Sequence, residues 1–345
     1  MDRFLPFKDA LGEHIQSNAE ALFTSMAGLD VKALQLPYHC EQYFIGSHSS
    51  RLFFSIETSA HILYHSIKKT GKRVEDVMFL DYGAGVGTLF LLAKKIGCKK
   101  VIYSDHLEDW KYSAQKIAKA VDISIDHYIV NDYRECLEQI QEWGYQLDIL
   151  ASRNVVEHIY NLEDFYKTVY EFQPQALIFS STTANIKNPA LVIRHKMIHS
   201  RWEKEYLPMR RKIIESKGFG FNEEELDKLA GNTRGLAMDD LDKAVAVYKN
   251  TGKMPDPSGF GTNTCRPENG LWAENLLSFE QHRKFINEEN YHVSFRPGFW
   301  DTHYSKGWKN LLGKMLNRIK NWGDGIAFTV VPFIYIIAEP RKKNG

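Results

Sequence analysis

The chain has 345 residues, a formal net charge of +1 at pH 7 and a hydrophobic content of 43%. This balance is typical of a globular protein. Because no basic field is present, it predicts neither a nucleic-acid partner nor a membrane partner. The length allows one domain with a large insertion or two domains.

The cysteine pattern and the first residues indicate the compartment. The four cysteines are scattered, without a C-x-x-C pair or a histidine at metal-ligand spacing, so we expect no structural zinc. Residues 1–10 carry acids and lack the apolar core of a secretion signal. We therefore predict a reduced, cytoplasmic protein.

Two sets of apolar residues recur at helical spacing between Phe7 and about Ser66, which predicts N-terminal helices. Packing against a sheet is their simplest role. Arg51 lies just ahead of the second apolar set. Either a solvated cation or a cation that reaches the carboxylate of a ligand fits this position.

The stretch from Val77 to Thr88 is the most informative of the chain. An apolar run ends at Asp81, glycines follow at alternate positions, and apolar residues resume at Leu89, which predicts a strand, a tight loop and a helix. Glycine allows positive φ and close approach of a ligand, and the helix start offers free N–H groups. The order D-x-G-x-G-x-G differs from the dinucleotide fingerprint G-x-G-x-x-G.

Two further predicted strands lead to acidic residues. The strand Lys100–Asp105 ends in an acid about 20 residues beyond the glycine loop, the interval of a ribose-binding carboxylate. Capping of the next helix is the alternative role for Asp105. The strand Ile125–Val130 precedes Asp132 and Tyr133, where an Asx turn before a helix is the alternative.

The fourth predicted strand, Leu147–Ser152, leads into the sequence R-N-V-V-E-H-I. His158 in this sequence is a candidate general base, because an imidazole takes up a proton near neutral pH. Packing or helix capping is an equal alternative for His158. The helix Leu162–Phe172 and the strand Ala176–Ser181 then complete five strand–helix units.

Residues 182–277 form an insertion that far exceeds the ~12–15 residues of an ordinary loop, so we predict a cap with a function. A basic and aromatic helix, an acidic helix from Asn222 to Leu229 and a loop rich in Gly, Pro and Asn over residues 254–269 follow one another. The candidate substrate contacts of this cap are Arg194, His199, Arg201 and Trp202. Solvated helix faces would have the same composition.

The core resumes after the insertion. Ser278 is a plausible N-cap of a helix that extends to Asn290, and a strand begins at Tyr291. The apolar run Phe328–Glu339 predicts the last strand, and residues 300–322 form a short basic insertion before it.

Two of these stretches resemble a known family. The glycine loop is similar to the first motif of the class I S-adenosylmethionine-dependent methyltransferases. The stretch around Glu157 and His158 resembles the V-x-E-H-I…D-L-x-x-F signature of the small-molecule branch that includes the ubiquinone O-methyltransferases. The resemblance implies an α/β fold with a Rossmann-like seven-stranded sheet whose last strand is antiparallel. The implied regions are N-terminal helices that close over the cofactor (1–70), a cofactor-binding core (71–181), the helical cap (182–277) and the C-terminal part of the core (278–345).

The resemblance also implies the cofactor S-adenosyl-L-methionine, with S-adenosyl-L-homocysteine as product. It places Asp105 at the ribose and Asp132 with Tyr133 at the adenine. His158 would be the catalytic base. Some relatives hold a divalent ion through the E-H pair and a nearby acid, but Asn154 occupies the acid's position here, so we predict no metal. The residues expected to bind the cofactor are Arg51, Asp81, Gly83, Ala84, Gly85, Asp105, His106, Asp132, Tyr133 and Asn154.

The expected activity is methyl transfer to a hydroxyl or an amine of a small molecule, such as a sugar or a secondary metabolite. The sequence leaves a homodimer open. An NAD-dependent oxidoreductase is one alternative, since it would share Asp105, although its glycine spacing differs. A non-catalytic S-adenosylmethionine-binding module is the other, against which the intact glycine loop and both acids argue.

Overall fold

The computed structural model describes residues 2–256 and 264–341. Part of the loop predicted over residues 254–269 therefore lies outside the described residues. In the described ranges, no helix combines the length and the apolar character needed to cross a bilayer.

The N-terminal region consists of helices, as the apolar spacing predicts. They are α1 (Ala10–Ala27), α2 (Tyr38–Tyr43) and α3 (Leu52–Thr70). The Asp9 side chain accepts a hydrogen bond from the Gly12 N–H and so caps α1. The buried faces of α1 and α3 pack together in one apolar core with the sheet.

The sheet has seven strands in the described part of the chain, in the order β3-β2-β1-β4-β5-β7-β6. Strand β7 runs antiparallel to both of its neighbours, whereas β1 to β5 pair in parallel. The predicted Rossmann-like sheet with an antiparallel last strand is thus confirmed. The strands are β1 (Met78–Tyr82), β2 (Lys100–Asp105), β3 (His127–Val130), β4 (Ile149–Arg153), β5 (Leu177–Thr182), β6 (Tyr291–Pro297) and β7 (Ile334–Pro340).

Helices cover both faces of the sheet, which is why its central strands are buried along almost their whole length. Phe79 and Leu80 of β1 point to opposite faces and join separate cores. The remaining helices are α4 (Leu89–Lys95), α5 (Glu108–Ala120), α6 (Tyr133–Glu142), α7 (Leu162–Phe172), α8 (Pro189–Ser216), α9 (Glu223–Asn232), α10 (Met238–Thr251), α11 (Phe279–Ile286), α12 (Gly307–Ile319) and α13 (Asp324–Val330).

The strand order reverses between β1 and β4. In open parallel sheets a crevice forms outside the carboxyl ends of the strands at such a point, because the helices on either side diverge. The glycine loop after β1 and the residues after β2, β3 and β4 therefore face one crevice.

The long insertion contains helices α8, α9 and α10, which share a small apolar core of their own. Asn188 caps α8, and Pro189 occupies its first position, where a missing N–H costs nothing. Asn222 and Glu225 form a reciprocal capping box at the start of α9, so the acidic helix is present as predicted.

The C-terminal strand prediction was wrong at its start. Residues Asp324–Val330 form helix α13, and β7 begins only at Ile334. Pro332 lies between the two elements, and because it has no N–H to donate, it interrupts the ladder there. Ser278 is the N-cap of α11, as predicted, and its side chain accepts from the Gln281 N–H.

Candidate functional site

A cavity of about 560 Å³ opens at the carboxyl ends of β1, β2 and β4. This volume lies within the range of small-molecule sites. Most of the expected cofactor residues line it, namely Asp81, Gly83, Ala84, Gly85, Asp105, His106, Asp132, Tyr133 and Asn154. The candidate base His158 lines the same cavity.

The glycine loop adopts the backbone that its sequence requires. Gly83 and Gly85 have φ values of +68° and +51°, a region that residues with a side chain rarely occupy. A Cβ on Gly83 would lie 2.6 Å from Cγ2 of Val155, whereas a Cβ on Gly85 would meet no atom within 4 Å. The loop thus packs tightly at Gly83 and leaves free space at Gly85.

The Asp105 carboxylate holds the loop in place. Its Oδ2 accepts a hydrogen bond from the Gly85 N–H at 2.9 Å, and its Oδ1 accepts one from the His106 N–H at 2.8 Å. Leu107, not Asp105, is the N-cap residue of α5. Because an ionised carboxylate offers about four acceptor sites, Asp105 keeps acceptor capacity for a ligand.

The Asp132 side chain caps a helix, which was the alternative interpretation of this residue. Its Oδ1 accepts hydrogen bonds from the N–H groups of Arg134 and Glu135 at the start of α6. The hydroxyl of Tyr133 donates to the Asp164 carboxylate at 2.8 Å. Both residues nevertheless line the cavity.

Asp81 is buried at the end of β1, and its Oδ2 accepts a hydrogen bond from the Phe90 N–H at 2.9 Å. Burial raises the pKa of this carboxyl to about 7, although the charge of Arg153 works in the opposite direction. The carboxyl therefore titrates near neutral pH.

The structure places Arg51 outside the cavity lining. Its Nε donates to Oδ2 of Asp301 at 2.9 Å, and its guanidinium lies over the rings of Phe54 and Tyr304. Asp301 is a buried carboxylate that needs a counter-charge, so it holds Arg51 outside the cavity lining.

Among the described residues, Arg153 at the end of β4 is the arginine that lines the cavity. Its NH1 donates to the Ser55 carbonyl oxygen at 2.8 Å, and its NH2 donates to the Ser55 hydroxyl at 3.0 Å. His48 also lines the cavity, and burial together with the charge of Arg153 lowers its pKa to about 3. A fixed guanidinium beside a neutral imidazole suits a carboxylate ligand. Arg153 is adjacent to the E-H stretch in the sequence, but no local pattern indicated that its side chain would line the cavity.

His158 is oriented by the cap. Its Nδ1 lies 3.0 Å from the carbonyl oxygen of Ala273, which can only accept a hydrogen bond. We therefore assign the proton to Nδ1, which leaves Nε2 with a free lone pair. The neighbouring Glu157 turns inward, where its Oε1 accepts from the Thr183 N–H at 3.4 Å. The two residues of the E-H pair thus face different surroundings.

The structure does not bring the predicted substrate residues of the cap to the cavity. Arg194 and Arg201 are exposed on α8, and Trp202 stacks on the ring of Tyr206. His199 is buried against Glu274. None of these four residues lines the cavity, and their role in substrate binding stays a prediction.

Other residues of the cap form the far wall of the cavity. They are Met238 and the segment from Asn269 to Trp272, which packs against Tyr160. A Cβ on Gly270 would come within 2.6 Å of the Tyr160 ring, so glycine permits this contact. Nothing in the sequence Gly270-Leu271-Trp272 indicated a contact with Tyr160.

Comparison with known proteins gives partial matches. A ubiquinone biosynthesis O-methyltransferase of Rhizobium etli is 32% identical over 127 residues, which cover 36% of this chain and 49% of that protein. The chain thus spans about half the length of the curated relatives it matches. No family model matches the chain.

Solved structures give matches of lower identity over more of the chain. An S-adenosylmethionine-dependent methyltransferase of Mesorhizobium loti is 12% identical, with a TM-score of 0.40 and coverage of 81% of this chain and 98% of that one. The plantazolicin methyltransferase BpumL in complex with SAH is 12% identical, with a TM-score of 0.39 and coverage of 95% and 99%.

The chain has the fold and the glycine loop of the class I S-adenosylmethionine-dependent methyltransferases. The strand order, the antiparallel last strand and the loop between β1 and α4 carry this conclusion. The resemblance found in the sequence is thereby confirmed.

Proposed function

We propose that this chain is an S-adenosylmethionine-dependent methyltransferase that acts on a hydroxyl group of a small molecule. One observation carries the proposal. A single cavity is lined by the glycine loop, by the acids that follow β2 and β3, and by His158. A donor held by the loop and an acceptor held near His158 would share this space.

The residues of the cavity match the parts of the cofactor in order. Asp105 would accept hydrogen bonds from the ribose hydroxyls, while Asp132 and Tyr133 would flank the adenine. Arg153 would bind the carboxylate of the methionine part. Asp81, whose pKa of about 7 lets it ionise beside a cation, would face the ammonium group.

The cofactor supplies a methyl group on an already activated sulfonium. The protein must mainly align donor and acceptor and exclude water, and orientation can supply ~7–11 kcal/mol of the barrier in favourable cases. Nε2 of His158 would take the proton of the acceptor hydroxyl, a contribution of about 10²–10⁴-fold. An amine is the second acceptor class that this arrangement suits.

The wall opposite the glycine loop indicates the body of the acceptor. Tyr160, Met238, Leu271 and Trp272 present aromatic and apolar surface there. Such a wall favours an acceptor with an apolar or aromatic body next to the reacting hydroxyl, since apolar contact supplies most of the affinity in such sites.

Titration calorimetry tests the donor. We expect S-adenosylhomocysteine to bind with a stoichiometry of one and NADH to release no heat. The reverse result would establish the oxidoreductase alternative. Binding of S-adenosylhomocysteine without a 14-dalton mass gain in any small molecule of a cell extract would leave the non-catalytic module. A cytoplasmic location and a homodimer stay predictions from the sequence.

A further inference from the structure

Two histidines and a glutamate form a buried cluster behind the far wall of the cavity. His195 and His199 are four residues apart on α8, so their side chains lie on the same face of the helix. Glu274 reaches them from the segment that precedes α11. One ligand atom from each residue lies within 4.8 Å of the others, and all three residues are buried.

The geometry of the cluster brings one ring nitrogen of each histidine to the Glu274 carboxylate. Nε2 of His195 lies 3.0 Å from the carbonyl oxygen of Thr183, so this nitrogen carries a proton and Nδ1 keeps its lone pair. That Nδ1 lies 3.9 Å from Oε2 of Glu274, and Nε2 of His199 lies 3.2 Å from the same oxygen. A histidine whose second nitrogen donates to a backbone carbonyl is the usual arrangement of a metal ligand.

The cluster combines one buried carboxylate with two buried imidazoles. A buried carboxylate that faces two imidazoles offers one anionic oxygen and two neutral nitrogens when the histidines are unprotonated. This donor set is suited to a cation.

We propose that His195, His199 and Glu274 bind one divalent first-row transition-metal ion, for which Zn²⁺ is the best match. Imidazole and carboxylate together are zinc ligands, and two histidines at i and i+4 on a helix with a distant acid form a familiar ligand set. Mg²⁺ and Ca²⁺ fit less well, because they prefer oxygen ligands. Water would complete the coordination of the ion.

This site differs from the metal site considered in the sequence analysis. That expectation concerned the E-H pair, where Asn154 replaces an acid. The new cluster uses residues of the insertion, and 75 positions separate His199 from Glu274, so no local spacing announced it. None of the three ligands lines the cavity.

The position of the site indicates what a bound ion would do. Glu274 follows Ala273, whose carbonyl orients His158, and Oε1 of Glu274 lies 3.5 Å from Nδ1 of His158. A bound ion would therefore link α8 to the segment that carries Trp272 and Ala273. The carbonyl oxygen of Ala273 is the acceptor of the hydrogen bond from His158. The role is that of a structural clamp on one wall of the cavity, and ion binding itself does not depend on the proposed methyl transfer.

Calorimetry on the chelator-stripped 345-residue chain tests the site directly. We expect one Zn²⁺ per chain and, with Co²⁺ as a probe, the visible absorption of an ion bound to nitrogen. His199→Gln and Glu274→Gln should each weaken Zn²⁺ binding by more than the roughly 10–100-fold that loss of a hydrogen-bond partner to a ligand causes. The matched control is His292→Gln, because His292 is exposed on β6, and it should bind as the wild type does.

A measurement on the wild-type chain decides the question even if a variant fails to fold. We expect Zn²⁺ to slow amide hydrogen exchange in peptides that cover residues 189–199 and 264–277. A folded wild-type chain that takes up no Zn²⁺, slowed exchange only elsewhere, or equal uptake by the His199→Gln variant would overturn the proposal. None of these readouts uses methyl transfer, so failure here is distinct from failure of the proposed function.

Discussion

Nδ1 of His158 lies 3.0 Å from the backbone carbonyl oxygen of Ala273. The two residues belong to different parts of the chain, since one follows β4 and the other belongs to the inserted cap. The contact fixes the ring so that Nε2 is the nitrogen free to accept a proton. In the proposed reaction the cap would thus contribute by orienting a residue of the core rather than by supplying the base itself.

Substitution of His158 tests this arrangement. We choose His158→Asn, because an asparagine amide can still donate to the Ala273 carbonyl but cannot act as a base. The expected result is a kcat lowered by about 10²–10⁴-fold with an unchanged Kd for S-adenosylhomocysteine. His292→Asn, at an exposed position of β6, serves as the control. A variant that keeps most of its kcat would exclude His158 as the base.

Arg153 and Arg51 form a matched pair of substitutions. Arg153→Met should weaken S-adenosylhomocysteine binding about 10–100-fold, because a charge-assisted hydrogen bond contributes roughly 1.5–3 kcal/mol. Adenosine lacks the amino-acid end, so its affinity should not change. Arg51→Met should leave both affinities unaltered, since Arg51 is held by Asp301 outside the cavity lining. If calorimetry showed weaker S-adenosylhomocysteine binding for Arg51→Met and unchanged binding for Arg153→Met, Arg51 would be the residue that binds the carboxylate.

The parts of the site that the sequence predicted depend on local patterns. The apolar run to Leu80 and the alternate glycines after it specify strand, loop and helix without help from distant residues. Asp105 and Asp132 could be placed near the loop because parallel strands deliver their carboxyl ends to one edge of the sheet. The strand topology therefore brings the residues of separate short motifs to one cavity.

The parts that the sequence missed depend on distant contacts. Arg51 lies outside the cavity lining, where it pairs with Asp301. Asp301 lies 250 residues further along the chain. The basic face of α8 could be read as substrate-binding only if the packing of that helix were known. Trp272 reaches the cavity through a contact between Gly270 and Tyr160, and no periodicity in the sequence encodes such a contact.

The glycine loop offers a test that separates backbone strain from loss of space. Gly83, Gly85 and the remote Gly71 at the end of α3 all have positive φ, so alanine should cost each about 1–2 kcal/mol. Gly83→Ala adds a clash, because its Cβ would lie 2.6 Å from a Val155 methyl group. We expect it to lower the Tm more than Gly71→Ala and Gly85→Ala.

The affinity for S-adenosylhomocysteine should rank these three variants in a different order than the Tm does. The alanine methyl group at position 85 would enter the cavity, so Gly85→Ala should weaken S-adenosylhomocysteine binding while its Tm matches that of Gly71→Ala. Gly71→Ala should bind as the wild type does. Equal affinities for the wild type and Gly85→Ala in calorimetry would mean that the ligand does not approach this part of the loop.

The last prediction concerns Glu57 on α3, a carboxyl whose Oε2 has no hydrogen-bond partner among the described residues. Burial, with a smaller contribution from the charge of Asp301, raises its pKa from 4.5 to about 8, although Lys320 opposes the shift. Between these two pH values the folded chain holds a proton on Glu57 that the unfolded chain has released. The free energy of unfolding must therefore fall as the pH rises through this range, and the loss is complete above about pH 8.

Glu57→Gln removes the titration while keeping the shape of the side chain. We expect the variant to exceed the wild type in stability by a margin that grows from pH 5 to pH 8, on the order of a few kcal/mol at its largest. Thermal unfolding at a series of pH values measures this difference. Glu142→Gln on α6 is the control, since Glu142 is exposed and its substitution should leave the curve unchanged. Parallel curves for Glu57→Gln and the wild type would show that Glu57 is already ionised at neutral pH, because only a carboxyl that stays protonated in the folded state can produce the divergence.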